Sequence, residues 1–328
     1  MKIVFSTNTA WNIFNFRLSL AEALKEQGHT IVALAPKDQY VDKIKEKGIE
    51  FIEIPFDPKG INVFKDFNLI FRYYKRLKEI KPDIVLSFTI KPNIYGNIAA
   101  RILKIPTINN ISGLGTIFIT KSIISFIGQK LYSIGLSSSN HVFFQNNDDQ
   151  KLFKKLRIVS SEKNSVIPGS GVNLSRFKNN KKRNKGKTFL FSGRLIRDKG
   201  VEEYLKAAAE TLKKFPKKEF LLIGEMGTKN KTAIKEEKIK QYLNKHSQIK
   251  YLGRTDNIKN ILKKTDVMVL PSYREGLSKS LIEAAAMEIP IITTTVPGCK
   301  DVVENNYNGL LCKEKSVEGL YKCIQDMI

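Results

Sequence analysis

Cysteine and histidine are almost missing from this 328-residue sequence, at three of each. Cys299, Cys312 and Cys323 form an odd, sparse set without metal-type spacing, and His29, His141 and His246 are scattered. That argues against a disulfide framework and a histidine-based metal site, and for a reducing cytosol. No uninterrupted apolar run approaches the roughly 20 residues needed to span a bilayer. The chain enters a strand at once, from Lys2 to Ser6, so no signal peptide is expected. Two phosphate signatures are also missing. Without G-x-G-x-x-G an ordinary dinucleotide dehydrogenase is disfavoured, and without G-x-x-x-x-G-K-[ST] so is a P-loop kinase or ATPase. Acidic residues are scarce too: 32 Asp+Glu stand against 56 Lys+Arg, for a net charge of +24 and a pI near 9.8. Such a balance expects an anionic partner, whether nucleic acid, anionic lipid or a phosphorylated substrate. Lysine is abundant everywhere, so most of these charges are solvated faces.

What is present is alternation. Short apolar runs (Ile3-Val4-Phe5, Ile31 to Leu34, Phe51 to Ile54, Ile84 to Ser87, Thr107-Ile108, His141 to Phe144) are separated by helical patterns. These helices include Leu18 to Lys25, Phe64 to Ile80, Pro92 to Leu103 and Ser122 to Leu136. The turn-rich Val166 to Val172 and the Lys/Asn-rich Lys178 to Lys187 interrupt the pattern. It then restarts, with strands at Thr188 to Phe191, Phe220 to Ile223, Ile249 to Leu252, Val267 to Leu270 and Ile291 to Thr293. Strands alternating with helices mean parallel sheets covered on both faces. The reading is α/β, two doubly wound Rossmann-like domains facing across a cleft. Residues 1–167 form the first domain, 168–186 the linker and 187–328 the second; the length is sufficient for two cores. Ligands of such sheets bind at the carboxyl ends of the strands.

Two stretches carry chemistry. Just before Arg274 to Ala286, the apolar run Val267 to Leu270 reads as a buried strand, which leads through a short loop into a helix opening near Ser278. Glu275 lies in the loop and Glu283 two turns down the helix. The backbone amides around Gly276, Leu277, Ser278 and Lys279 form the usual setting for an anion. Carboxylates beside such amides suit a ligand with hydroxyls and phosphates, such as a nucleotide sugar. Ser280 and Glu283 equally fit a capping box, in which Glu283 only caps its helix; spacing alone leaves the two readings even. The second stretch is Phe191 to Gly200, where Gly193 ends a strand and Arg194 and Lys199 occupy the following loop. An Arg and a Lys on that sheet edge can neutralise a diphosphate, each charge-assisted bond contributing roughly 1.5–3 kcal/mol. Together the two stretches favour the ligand reading.

Ser192-Gly193-Arg194, Asp198-Lys199-Gly200, Glu275-Gly276 with Glu283, Val296-Pro297-Gly298 and Asn308-Gly309 resemble family 4 of the retaining GT-B glycosyltransferases. The resemblance covers essentially the whole chain. Asn8 to Trp11, Asn15-Phe16-Arg17, Thr89 to Gly96 and Asn109 to Gly115 look like the capsule and O-antigen branch, which includes enzymes adding N-acetylhexosamine to polyprenyl-diphosphate-linked sugars. The resemblance implies that Arg194 and Lys199 hold the donor diphosphate. It gives Glu275 the sugar hydroxyls, the Gly276–Lys279 amides the sugar and phosphate, Glu283 the ribose, and the backbone near Arg254 the base. It implies a UDP-sugar donor, no cofactor and no metal. Asp148-Asp149 reads as a helix start rather than a metal site. Acceptor candidates are Asn8, Trp11, Arg17, Lys91, Asn110 and Gly113. The family's acceptor-loop His has no counterpart at Asn109-Asn110-Ile111-Ser112. Related enzymes add a final helix beyond the position of Ile328.

The function expected is transfer of an N-acetylhexosamine from a UDP-sugar to an undecaprenyl-diphosphate-linked glycan. A UDP-sugar epimerase on the same fold is the alternative, and a basic nucleic-acid-binding protein a distant third, since the cations form no recognisable module. Stretches 118–132 and 65–78 mix apolar residues with cations. Both suit an anionic membrane surface, where each nearby Lys or Arg adds about 1 kcal/mol. A cytoplasmic enzyme, peripheral on the inner face of the cell membrane, is the expected setting.

Overall fold

The computed structural model describes residues 1–58, 63–114, 123–179, 186–227 and 232–328; the side chains of 63–65 and 123–124 are not described. The chain divides into two compact units, Met1–Ser170 and Gly171–Ile328.

The first unit holds β1 (Lys2–Ser6), β2 (Thr30–Ala35), β3 (Glu50–Glu53), β4 (Ile84–Phe88), β5 (Thr107–Ile111), β6 (His141–Phe144) and β7 (Asn164–Val166). They run parallel in the order β3-β2-β1-β4-β5-β6-β7. β1 is followed along the chain by β2 on one side, while β4 starts the run on the other. The order therefore reverses between β1 and β4, the point where open α/β sheets take ligands. The helix Val63–Ile80 buries Leu69, Tyr73, Leu77 and Ile80 on one face of the sheet, at the spacing of an amphipathic helix. Phe5, Ala33, Phe88 and their neighbours form a second core on the other face.

The second unit repeats this plan with β8 (Thr188–Ser192), β9 (Glu219–Ile223), β10 (Ile249–Tyr251), β11 (Val267–Leu270), β12 (Ile291–Thr294) and β13 (Gly309–Cys312). These are also parallel, ordered β10-β9-β8-β11-β12-β13, so the order reverses between β8 and β11. Helices cover both faces, which is why Val267-Met268-Val269-Leu270 is buried throughout instead of alternating.

The structure departs from the expected elements in six places. β7 and β13 were not foreseen; Asn164-Ser165 and Gly309 lack the apolar, β-branched character of a strand. β5 runs on to Ile111, so Asn109 and Asn110 lie in a strand and not in the loop after it. The helix expected over Pro92 to Leu103 opens as a π-helical turn, Pro92–Gly96, before the α-helix Asn97–Ile102. Leu18–Glu26 is likewise preceded by Ala10–Asn12 and a π-helical turn, Ile13–Arg17. The expected linker is partly ordered as well: Phe177 is buried in the core of the second unit, with Val172 packed against it. Residues 180–185 of that stretch lie outside the described residues.

Candidate active site

At the β8/β11 reversal, two loops are stitched together by backbone. The Asp198 carbonyl accepts from the Tyr273 amide at 2.8 Å and from the Ser272 hydroxyl at 3.0 Å. Gly200, at φ +72°, closes the short 3-10 turn Arg197–Lys199; a Cβ there would run into the Pro271 carbonyl. This tight crossing brings Lys199 onto Glu275, and the two form a direct ion pair. Their side chains are 18% and 11% exposed, so the pair is screened from bulk water yet open enough to meet a ligand.

The β12 loop supports the same site. The Glu275 amide donates to the Pro297 carbonyl at 3.1 Å and the Ser278 amide to the Gly298 carbonyl at 3.3 Å. Gly298, at φ +77°, lies so close that a Cβ would sit 2.5 Å from the carbonyl oxygens of Glu275 and Gly276. Val296-Pro297-Gly298 thus acts as a backing for the carboxylate loop. It also corrects the expectation of a free amide nest from Gly276 to Lys279, because the Ser278 amide is already committed.

The helix Lys279–Ala286 has Ser278 as its N-cap, with no side-chain capping bond, and Ser280 lies inside the helix. The capping box is therefore not formed, and Glu283 does not cap its own helix. Its carboxylate is buried at 8% exposure and sits 3.6 Å from the Lys279 ammonium. Burial pushes the Glu283 carboxyl above the ordinary carboxylate range, while Lys279 and Arg176 pull it back in part. Arg176 went unnoticed in the sequence because it lies in the stretch read as linker. Arg194 is exposed beyond Gly193, and Arg254 is exposed after β10. Cys299, beside this site, is fully buried, and burial followed by the Glu275 charge pushes its thiol up to about 12, which keeps it unreactive.

The candidates in the first unit are more dispersed. Lys91 is held by Asp66, its ammonium 2.6 Å from the carboxylate and both side chains 11% exposed. Asn110 is 4% exposed, and its side-chain oxygen accepts from Gln145 at 3.2 Å. Asn109 belongs to a buried amide network with Asn93, Asn97 and Ser139. The Trp11 amide donates to Asp38 at 2.8 Å, and its half-exposed ring stands edge-on to Phe16. Asn8 is half-buried, and Gly113 has φ +123° just beyond β5; Gly115 lies outside the described residues.

Arg17, an acceptor candidate by its place early in the first helix, is the exception, because it is buried and so is no ordinary surface charge. It ends the π-helical turn and is 5% exposed, with its guanidinium 4.2 Å from the Phe88 ring centroid at the end of β4. Its Nε has no hydrogen-bond partner, and no carboxylate among the described residues pairs with it. Burial alone pushes its pKa down to about 10. Stacking on an aromatic ring contributes about 2 kcal/mol when desolvated, whereas desolvating an ion costs several. Phe88 therefore does not offset the burial of this charge.

Residues 173–328 match the family model for glycosyl transferases group 1, and residues 2–146 match that for glycosyl transferase 4-like proteins. The chain belongs to this glycosyltransferase family. It is 28% identical over 98% of its length, and 87% of the relative's, to the N,N'-diacetylbacillosaminyl-diphospho-undecaprenol alpha-1,3-N-acetylgalactosaminyltransferase of Campylobacter jejuni. It is 26% identical over 83% of its length, and 73% of the relative's, to an Escherichia coli UDP-Gal:alpha-D-GlcNAc-diphosphoundecaprenol alpha-1,3-galactosyltransferase. Among solved structures, Anabaena HepE in complex with UDP and glucose superposes with a TM-score of 0.78 over 99% of this chain and 89% of its own, at 16% identity. A Rickettsia africae glycosyltransferase gives 0.78 over 99% and 87%, at 20% identity. The fold is GT-B, and membership favours glycosyl transfer over the epimerase alternative.

Proposed function

We propose that this glycosyltransferase moves an N-acetylhexosamine from its UDP carrier to a glycan on undecaprenyl diphosphate, with retention and without a metal. The observation that carries the donor side is the Lys199–Glu275 pair across the β8/β11 reversal, with the buried Glu283 carboxylate on the adjoining helix. Lys199 and Arg194 take the diphosphate, and the charge they supply is what a metal would otherwise provide. Glu275 takes sugar hydroxyls and Glu283 the ribose. As the bond from C1 to the phosphate oxygen breaks, negative charge grows on the leaving diphosphate, and a preformed ammonium there stabilises the transition state more than the ground state. The acceptor oxygen bonds to C1 on the face the phosphate leaves, and its proton passes to a departing phosphate oxygen. This route needs no protein base, consistent with a chain that has no His at Asn109-Asn110. The acceptor class is supported by the two relatives whose names carry diphospho-undecaprenol substrates.

Membrane association is part of this reading. Among the described residues no helix is long and apolar enough to cross a membrane. Helices Val63–Ile80 and Ile123–Leu136 pack on the same face of the first sheet through Leu69, Tyr73, Tyr132 and Leu136. Outward they present Phe67, Phe71, Phe126 and Ile134, each more than half exposed. Lys75 and Lys78 line a shallow groove of about 370 Å³ with Phe71 and Tyr74, and Lys130 lies over Phe126. Aromatics mixed with cations fit the interface of an anionic bilayer. The 118–122 part of the second stretch lies outside the described residues.

The test is transfer from UDP-N-acetylhexosamine to a lipid-linked acceptor, with the product's anomeric configuration read by NMR. Lys199→Ala and Glu275→Ala are expected to lose activity roughly 100- to 1,000-fold. Full activity in both would remove the site assignment, and an inverted product would remove the retaining course.

A further inference from the structure

Arg17 and Phe88 meet at the one place in the first sheet where strand order reverses. Arg17 comes from the crossover that follows β1, and Phe88 is the last residue of β4. Three further features converge there. Thr89, next to Phe88, holds φ +77°, a left-handed conformation that a β-branched residue adopts only under constraint from its surroundings. The hydroxyls of Ser87 and Thr89, on either side of Phe88, are buried without hydrogen-bond partners. The helical connections that leave this edge after β1 and β4 each contain a π-helical turn, Ile13–Arg17 and Pro92–Gly96, a rare geometry concentrated at functional sites.

A cation kept in the interior without a counter-charge, at the carboxyl edge of a sheet's reversal point, lacks an anion. We propose that this edge of the first unit is a phosphoryl-anion site built on Arg17, and that it takes the diphosphate of the acceptor and not that of the nucleotide. The planar guanidinium offers paired N–H donors that match phosphate oxygens, which Lys91, already neutralised by Asp66, does not. Arg17 is a binding residue, remote from the Lys199–Glu275 chemistry in sequence and unit. The site stands on the geometry alone; only the naming of its anion as the acceptor's diphosphate rests on the function proposed above.

Trp11 is the only tryptophan in the chain and lies six residues before Arg17 on the same connection, so its emission reports on this edge. The purified full chain is titrated with inorganic pyrophosphate, with a short-chain prenyl diphosphate in detergent, and with UDP. Trp11 fluorescence and thermal unfolding are followed together. Both diphosphates are expected to bind the wild type saturably. Binding should weaken tenfold or more in Arg17→Met, and less in Arg17→Lys, which keeps the charge without the fork. UDP should protect Arg17→Met as well as it protects the wild type. Unliganded Arg17→Met should unfold no earlier than wild type, since an uncompensated charge has been replaced by an apolar chain; if it does not fold, Arg17→Lys carries the comparison. Unchanged pyrophosphate affinity in the variants overturns the site. Loss of UDP protection along with pyrophosphate binding overturns its assignment to the acceptor. If pyrophosphate binding depends on Arg17 but the prenyl diphosphate does not bind, the anion site stands and the lipid-linked acceptor falls.

Discussion

The two units solve one topological problem with opposite electrostatics. Each is a parallel sheet whose order reverses next to its first strand, and each sends a cation from the connection after that strand to the next loop or strand end. In the second unit the cation is Lys199 and it meets a carboxylate; in the first it is Arg17 and it meets a phenyl ring. An ion pair can exchange partners when a charged ligand arrives; under the function proposed above, a donor would open the Lys199–Glu275 pair, its diphosphate going to one and its sugar hydroxyls to the other. A cation on a phenyl ring has nothing to exchange, and the ligand itself would supply the missing charge. Duplicated architecture therefore does not imply duplicated function, because the groups placed at the reversal decide what is bound.

The largest effects should follow from dissolving the pair that distinguishes the second unit. Beyond the losses expected for Lys199→Ala and Glu275→Ala separately, the double variant should be no slower than the worse single one, because the two side chains act as a unit. Multiplicative losses in steady-state assays would show them to be independent. Next in size is Gly200→Ala. It forces a left-handed turn onto a residue with a Cβ and drives that Cβ into the Pro271 carbonyl, where the two loops cross. A loss of about 2–3 kcal/mol in denaturant unfolding is expected, with weakened UDP binding. Unchanged stability would mean that the crossing is looser than the Asp198–Tyr273 bond indicates. Smaller again, and confined to the first unit, Phe67→Glu with Phe71→Glu should weaken binding to anionic vesicles at least tenfold in flotation, since each buried Phe contributes about 1.5–3 kcal/mol. UDP binding should not change; if it falls too, the substitutions have damaged the fold.

Much of this was legible in the residues. The two-unit α/β plan follows from apolar runs such as Val267-Met268-Val269-Leu270 separated by helical patterns, and Glu275 and Lys199 stand in loops where sheet topology puts ligands. What was not legible depends on contacts between distant segments. The spacing of Ser280 and Glu283 left a capping box open, and only the helix start at Lys279, fixed by the β12 loop binding the Ser278 amide, removes it. Arg17 was legible as an acceptor candidate but not as a buried cation, because nothing local announces a π-helical turn that carries it inward. Lys91 looked available until a helix from a different part of the chain supplied Asp66. Strand β5 was cut short because two asparagines read as a turn, whereas in the fold their polar groups are satisfied by the Asn93, Asn97 and Gln145 side chains.

The smallest effect tests whether the second unit also keeps an imperfectly compensated charge, and so how sharp the contrast with Arg17 is. Burial raises the Glu283 pKa above its unfolded value. The folded protein therefore holds that proton more tightly than the unfolded chain does. The stability from this group is fully present below the unfolded pKa and is lost as pH rises through the folded one. Ribose hydroxyls make the opposite demand, since they donate best to the ionised carboxylate. UDP affinity should then fall on acidification at a pH above the ordinary carboxylate range, in the interval where the unliganded protein gains stability from the same proton. Glu283→Gln, which resembles the protonated form, should flatten both profiles, bind UDP more weakly at neutral pH and unfold no earlier than wild type. Calorimetric titration of UDP across pH, beside thermal unfolding of the apo protein, gives both curves. If affinity and stability fall together on acidification, Glu283 serves the fold and not the nucleotide. Opposite slopes would mean that each unit retains, near its reversal point, a charge that costs the empty protein stability and gains its full interactions only with substrate.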